Sequence, residues 1–593
     1  MLHDLRDALR TTRRHPGFAG LAVLTLGLGI GVVTTMFSLL DAVLFRPLPY
    51  PDWQRIVVVR ESEPGGEHAV APPAYFDWRD EARLFEGIAA VSDEWFNLVG
   101  RGEPERVGGA RVTAEFGAVM GVAPALGRWF GRENETPGAD EVVVISHDLW
   151  QRRFGGDPAV VGSAVILTDR SYTIIGVMPP GFDYPDGADV WAPLVDEPDL
   201  RAPNQRRSHY LGVVARLAPG VSIERADAEL DRISAARRGE YPMLAALDAP
   251  LEARLTPLRD WLVGEAREPL LILFGAVAFV LLVATANVAG LQLAHAAARG
   301  RELAVRAAIG AGHGRLVRHV VAQSLFIALA GGALGLVLAA WGRDMLLALA
   351  PADLPRVAGV RLDLRVFAFA FGVAGLAGVL AGLVPAVAVT RADLSATLRN
   401  DVRRLIAPSR LRGALVVGEL ALSVLLLAGA GLMVKSLWRL VSVDPGFRTE
   451  GLLTMEVTLP RSRYGDPARQ AQFFADVLRN IRALPGVDAA GGTSNLPLSQ
   501  TSMVYGVYSQ DDDPNARAPR TAQFRVVSHD YLPALGVPLL RGRWLEERDD
   551  ADAPPVALVN EAFARRFAAG PRRAGSRPVP RGRAMGPVRP AQT

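Results

Sequence analysis

The sequence predicts a membrane protein, an α-helical transmembrane bundle carrying α+β extracytoplasmic domains. Three observations predict it. Half of the 593 residues are hydrophobic and only 21% are charged, which is too apolar a balance for disorder. Several apolar runs reach the about 20 residues that cross a bilayer. Two long polar stretches between and after those runs alternate strand-like and helix-like patterns.

The first apolar run is Phe18 to Leu40, with no charge inside it. Arg6, Arg10, Arg13 and Arg14 precede it, as in a signal peptide. The run is too long for an h-region of about 7–15 residues, and no small-residue cleavage site follows. It reads as an uncleaved anchor whose helix continues through Asp41–Phe45 to Pro47. The other runs are Pro269 to Leu293, Val320 to Trp341, Val366 to Val389 and Gly413 to Val434.

Orientation follows from the arginines of the short loops, which favour the cytoplasm. Arg299, Arg301, Arg306, Arg315 and Arg318 lie between the second and third runs. Arg391, Arg399, Arg403, Arg404, Arg410 and Arg412 lie between the fourth and fifth. Between the third and fourth, Arg343, Arg356 and Arg361 are balanced by Asp344, Asp353 and Asp363. If each run spans once, the basic loops and the N-terminus share the cytoplasmic side, and both polar regions lie outside. Gly27 with Gly31, Gly331 with Gly335, and Gly378 with Gly382 are small-x-x-x-small pairs, which let helix backbones approach closely in lipid.

In the first polar region, Arg55–Arg60, Val142–Ile145, Tyr172–Val177 and Leu211–Leu217 read as strands. Ala218-Pro219-Gly220 reads as a turn and Ile223–Arg237 as a helix. The second polar region repeats parts of the first. Arg111-Val112-Thr113-Ala114-Glu115-Phe116, Gly121-Val122-Ala123-Pro124 and Gly127-Arg128-Trp129 are matched by a second stretch that begins Arg525-Val526-Val527-Ser528 and contains Gly536-Val537-Pro538 and Gly542-Arg543-Trp544. Arg152-Arg153-Phe154 recurs as Arg565-Arg566-Phe567. Each copy follows an apolar run, so the repeating unit is a span plus an outer domain. The second copy departs after Phe567. From Ala568 the chain is rich in Pro, Arg, Gly and Ala and has no acidic residue, which reads as an aberrant or disordered tail left by a frameshift or truncation.

Composition also excludes chemistry. There is no cysteine, hence no disulfide framework, thiolate metal site or cysteine nucleophile. The net charge of +3 gives no excess for binding nucleic acid. Lys435 is the only lysine and follows Val434, so the chain has no P-loop, which needs Gly-Lys-Ser/Thr. No His-Glu-x-x-His or Gly-x-Ser-x-Gly pattern is present. His313 and His319 read as solvated residues of a basic loop, and Asp511–Asp513 and Asp549-Asp550 as solvated acidic loops. No catalytic, cofactor-binding or metal-binding residue is expected, and the chain is not read as an enzyme.

Arg13-Arg14-His15-Pro16-Gly17-Phe18, Leu26-Gly27-Leu28-Gly29-Ile30-Gly31, Arg46-Pro47-Leu48-Pro49-Tyr50 and the segment from Arg301 to Ala311 together carry a family resemblance. The chain resembles the MacB/FtsX-type ABC transporter permeases, most closely the duplicated orphan permeases first noted in acidobacteria. The resemblance runs to about Phe567 and departs where a second set of three spans would follow. It implies MacB-like periplasmic core domains, an inner-membrane location, and a permease without a nucleotide site that pairs with a separate ABC ATPase subunit. It further implies that Arg301, Glu302, Arg306, Ile309 and Gly310 form the cytoplasmic segment contacting that ATPase. Expected partners are the ATPase, the lipid bilayer, and a homo-oligomeric or pseudo-dimeric arrangement, with no cofactor and no nucleic acid. The function so implied is coupling of ATP hydrolysis on another chain to movement of outer domains, for export or envelope remodelling. A membrane-anchored envelope binding or regulatory protein that does not use ATP is the alternative.

The expected domains are 1–45, an N-terminal segment with the first span, and 46–265, the first periplasmic core. They continue with 266–395, an FtsX-like permease domain of three spans, and 396–435, a cytoplasmic loop with the fifth span. The last are 436–567, an incomplete second core, and 568–593, the tail.

Overall fold

The computed structural model describes residues 16–63, 66–100, 102–240, 251–298, 313–349, 360–391, 409–459, 461–498, 503–507, 520–550 and 552–568. The chain forms two compact units, one of residues 1–48 with 259–443 and one of residues 49–258 with 444–593.

The first unit is helical. Its helices are Pro16–Leu40, Leu258–Ala298, His313–Leu349, Leu364–Arg391 and Ser409–Val441, here called the first to fifth spans. All five are long and apolar enough to cross a membrane. In lipid a segment must satisfy its own backbone hydrogen bonds, which selects helix for such runs. The spans overrun the apolar stretches. The second begins about three turns before Pro269, and the third begins at His313. His313 and His319 therefore lie on a helix and not in the loop expected of them. The first span does continue beyond Leu40, but as a π-helical turn, Asp41–Phe45, which ends before Pro47.

Small residues set the packing. A Cβ on Gly27 would meet Leu334 Cδ2 at 2.9 Å, and one on Gly31 would meet the Gly335 carbonyl oxygen at 3.1 Å. On the fourth span, a Cβ on Gly378 would meet Ala328 Cβ at 2.9 Å. The glycine pairs thus bring the third span against the first and fourth. Leu26, Ile30, Val288, Ala289, Ile327, Ala328, Ala374 and Ala381 fill the space between the first four spans. The apolar stretch of the fifth span is not buried. Trp341 and Trp438 are exposed near the C-terminal ends of the third and fifth spans, where amphipathic rings favour a membrane–water interface.

The second unit holds an eleven-stranded sheet. Its strands and helices are β1 (Ile56–Glu63), β2 (Gly66–His68), α1 (Pro72–Glu81), β3 (Phe85–Val99), β4 (Glu105–Val112), α2 (Phe116–Met120), β5 (Leu126–Gly127), β6 (Val142–Ile145), α3 (His147–Phe154), β7 (Ala164–Leu167), β8 (Arg170–Val177), β9 (Val190–Pro193), β10 (Gly212–Leu217), α4 (Ile223–Glu240) and β11 (Glu252–Pro257). The order is β11-β1-β10-β3-β4-β9-β6-β8-β5, with β2 on β1, and β7 on β3 and β8. The 15-residue β3 belongs to two cores. Its first half pairs antiparallel with β10 and its second half with β4. One core packs α1 and α4 on β1, β10 and β11 through Tyr75, Trp78, Val213, Leu230 and Leu255. The other packs α3 on β4 and β6 to β9 through Phe96, Leu149, Tyr172 and Ile174.

Residues 444–568 contribute α5 (Pro467–Arg482), β12 (Met503–Val507), β13 (Arg520–Phe524), α6 (Tyr531–Ala534) and α7 (Glu561–Ala568). β12 and β13 form a two-stranded ladder. Among the described residues of this stretch, Tyr531 is the one buried hydrophobic side chain. In the first copy β1 lies between β10 and β11.

Candidate functional site

Arg301, Glu302, Arg306, Ile309 and Gly310 lie outside the described residues. The described helices bracket them, the second span ending at Ala298 and the third starting at His313.

Within the bundle, one polar seam joins three spans. Ser324 on the third span is buried, and its Oγ lies 2.5 Å from Gln292 Oε1 and 2.9 Å from the Val320 carbonyl oxygen. A hydroxyl has one proton and cannot donate to both. Gln292 Nε2 is buried with no partner. Turning the Gln292 amide over lets Nε2 donate to Ser324 Oγ while that hydroxyl donates to Val320, which removes the conflict. Gly382 on the fourth span leaves room for this pair, since a Cβ there would sit 2.7 Å from Ser324 Oγ. Sequence patterning missed the seam, because single Ser and Gln residues carry no periodic signal.

The polar unit holds an ionic knot in which Arg79 and Glu135 are buried and Asp196 and Arg201 reach the surface. Arg79 lies 3.4 Å from Glu135 and 3.3 Å from Asp196, and Arg201 pairs with Asp196 at 2.8 Å while its guanidinium lies 4.0 Å from the centre of the Phe76 ring. Burial pushes the Glu135 carboxyl above its ordinary value, only partly offset by the Ala114 N–H and Arg79. Burial also works to raise Asp196, but hydrogen bonds and charge from Arg201 and Arg79 outweigh it and hold that carboxyl low. A cavity of about 40 Å³ lined by Glu61, Asp77, Trp78, Arg206, Ser234 and Arg237 lies between α1 and α4. That is room for about one or two waters and no more. Among the described residues no group of three His, Cys, Asp or Glu is placed to hold a metal ion. Asp549 is bound at 2.6 Å by Arg543 and accepts the Glu546 N–H, so it serves a turn.

The repeated corner is the most regular feature. In the first copy Thr113 and Ala90 exchange bonds. The Thr113 N–H donates to the Ala90 carbonyl at 3.1 Å, and the Ala90 N–H donates to Thr113 Oγ1 at 3.1 Å. In the second copy Ser528 and Gly492 do the same, each at 2.9 Å. Three residues on, the Phe116 and Tyr531 N–H groups return to the Thr113 and Ser528 carbonyls. Gly121 and Gly536 end α2 and α6 at φ of 70° and 69°, a left-handed conformation that glycine adopts without a Cβ clash. Arg128 and Arg543 each donate to the carbonyl of the following tryptophan, at 3.1 and 2.9 Å. Ser146 and Asn560 cap α3 and α7 by the same side-chain bond. The Gly-Arg-Trp match in the sequence therefore marks one structure built twice.

Comparison with known proteins also finds the core-domain unit twice. The MacB-like periplasmic core domain family matches residues 19–233 and again 414–579, well over half of the chain. The FtsX-like permease C-terminal family matches residues 274–394. The chain is 25% identical over 415 residues to a macrolide export ATP-binding/permease protein MacB of Azoarcus sp., covering 68% of this chain and 60% of that protein. It is 26% identical over 293 residues to the pyoverdine export ATP-binding/permease protein PvdT of Pseudomonas syringae pv. tomato, covering 48% of this chain and 42% of that one. The chain thus spans less than two thirds of either relative. Among solved structures, the periplasmic region of MacB from Actinobacillus actinomycetemcomitans aligns with a TM-score of 0.27 at 11% identity, covering 36% of this chain and 93% of that one.

Proposed function

Because the chain belongs to the MacB-like periplasmic core domain family, we propose that it is the membrane-integral permease subunit of an ABC-type export system. It is a multi-pass membrane protein with an extracytoplasmic domain. Its place in the inner membrane, its kinship with the duplicated orphan permeases of acidobacteria and the domain boundaries given above are parts of the proposal. One observation carries it. The core-domain match occurs twice, each time starting within an apolar helix, and the permease match occupies the three helices between them.

In this reading ATP is hydrolysed on a separate ATPase subunit, and these 593 residues, which hold no Gly-Lys-Ser/Thr sequence, supply the permease. The coupling contact is Arg301, Glu302, Arg306, Ile309 and Gly310, between the second and third spans. A small apolar tip flanked by charges suits a pocket on a protein better than open water. Ile309→Asp puts a carboxylate into that pocket, and a buried unpaired charge costs several kcal/mol. We expect the mutant to insert normally and to co-purify with far less ATPase than wild type at matched membrane levels. Equal recovery from both would refute the contact. A chain that recovers no ATPase even as wild type would favour the ATP-independent envelope protein instead.

A further inference from the structure

The outer end of the first span carries a chain of four charges. Asp41 is buried, with a side chain 4% exposed. It lies 3.5 Å from Arg46 and 3.9 Å from Arg365. Arg46 also donates to Asp363 at 2.8 Å. Asp363 and Arg365 stand at the start of the fourth span, where the Asp363 carboxylate accepts the N–H groups of Arg365 and Val366. Arg365, Asp41, Arg46 and Asp363 thus alternate in sign across the junction of two helices. Arg259 of the second span donates to the Leu44 carbonyl at the same place.

The π turn is what makes this arrangement possible. In an α-helix, residues three or four apart face each other. Residues 41 and 46 are five apart and would stand about 140° apart around the axis at 3.6 residues per turn. The i→i+5 bonding of a π turn brings such a pair onto one face. Here the Arg46 N–H donates to the Asp41 carbonyl at 2.7 Å, and the two side chains meet above it. Relaxation to α geometry would carry Arg46 away from Asp41 and leave a buried carboxylate with one distant partner. The ion pair and the π turn therefore require each other.

We propose that Asp41, Arg46, Asp363 and Arg365 are positioning residues of a latch. It holds the outer end of the first span in its π form against the fourth span, and its opening releases the chain that leads from Arg46 into the polar unit. This rests on the permease reading for its role, as the point where rearrangement of the bundle is passed to the outer polypeptide.

The cysteine-free sequence makes the test direct. Val43 is fully buried in the π turn, so Val43→Cys in the full-length chain supplies the single thiol. Its labelling rate by a membrane-impermeant maleimide, in reconstituted vesicles, reports local opening. We expect slow labelling in the otherwise wild-type chain and a rise of roughly tenfold or more with Arg46→Ala, because removing one partner strands a buried charge. Asp363→Asn should also speed labelling. Asparagine caps a helix as well as aspartate does, so this variant keeps the cap and loses only the charge. Arg46→Lys, which keeps the charge, should restore most of the protection.

Ala215→Cys, in the core of β10, is the control. Its labelling should not change in any of these backgrounds. Rates at position 43 within about twofold of wild type in both Arg46→Ala and Asp363→Asn would overturn the latch. So would an equal rise at position 215, which would mean general unfolding. No ATPase is present, so failure of the co-purification experiment would leave these rates standing.

Discussion

Replacing Gly335 by valine tests a close contact between the first and third spans. A Cβ at this position would lie 3.0 Å from the Gly31 nitrogen, 3.1 Å from the Gly27 carbonyl oxygen and 3.1 Å from Ile30 Cγ2. Two of these are backbone atoms and cannot swing aside, so the first and third spans must part. Overpacking of this kind costs about 1–3 kcal/mol. Loss of a helix-interior glycine returns a few tenths of a kcal/mol, since valine is only a modest helix former. The net expectation is a loss of about 1–3 kcal/mol. Gly372 on the fourth span is the matched control, since a Cβ there meets nothing within 4 Å. Gly372→Val should shift stability by no more than about 0.5 kcal/mol. The assay is reversible unfolding of the full chain in mixed micelles with increasing SDS, followed by far-UV dichroism. Coincident transitions for the two valine variants would refute the claim that these glycines set the separation of the spans.

Two further outcomes follow from the polar unit. Thr113→Val leaves the Ala90 N–H without its buried acceptor and the Tyr75 hydroxyl with only the Ile88 carbonyl at 3.4 Å, and should destabilise the sheet by about 1–3 kcal/mol in urea unfolding; an unchanged midpoint would remove the repeated corner from the stabilising set. The Asp549 carboxyl is held well below its ordinary value by the hydrogen bond and charge of Arg543 and by the Glu546 N–H. A depressed carboxyl stabilises above its unfolded value of about 3.9 and loses that contribution as pH falls through the lower folded value. Acid titration of the Trp544 fluorescence, taken as the difference from Trp544→Phe, should therefore show a transition below that value in wild type. Arg543→Ala should move it upward, and superimposable titrations would count against the pair.

The spans were the most legible part, because an uncharged run of this length has one solution in lipid. All five apolar runs lie within helices, and the strand over Val142–Ile145 has the bounds expected of it. The helix over Ile223–Arg237 extends three residues further, to Glu240. The β3–β4 hairpin was not legible. Gly108 and Gly109 interrupt the pattern of β4, and glycine weakens a strand signal. They are there because a Cβ at 109 would lie 2.5 Å from the Val190 carbonyl oxygen of the parallel neighbour β9. The π turn was also hidden, since Asp41–Phe45 reads as ordinary helix and only the distance from Asp41 to Arg46 betrays the wider turn. The repeat was legible as Gly-Arg-Trp, whereas the Thr113–Ala90 exchange was not, because its partners lie on different elements.

The placing of β1 between β10 and β11 also sets an order of events during synthesis. Ile56 pairs with Arg216, and Glu61 pairs with Ala253. A ribosome adding about 5–20 residues per second needs on the order of 10–40 seconds to travel from one to the other. Through that interval the first span is already made; until β10 follows, β1 has only β2 against its last three residues, and α1 has only part of its core. Bare edges of this kind invite pairing with other chains. The corner around Thr113, by contrast, needs only residues from Ala90 to Trp129 and can close early. The first outer domain is thus a structure whose corner is set long before its sheet, and whose opening strand waits for the last.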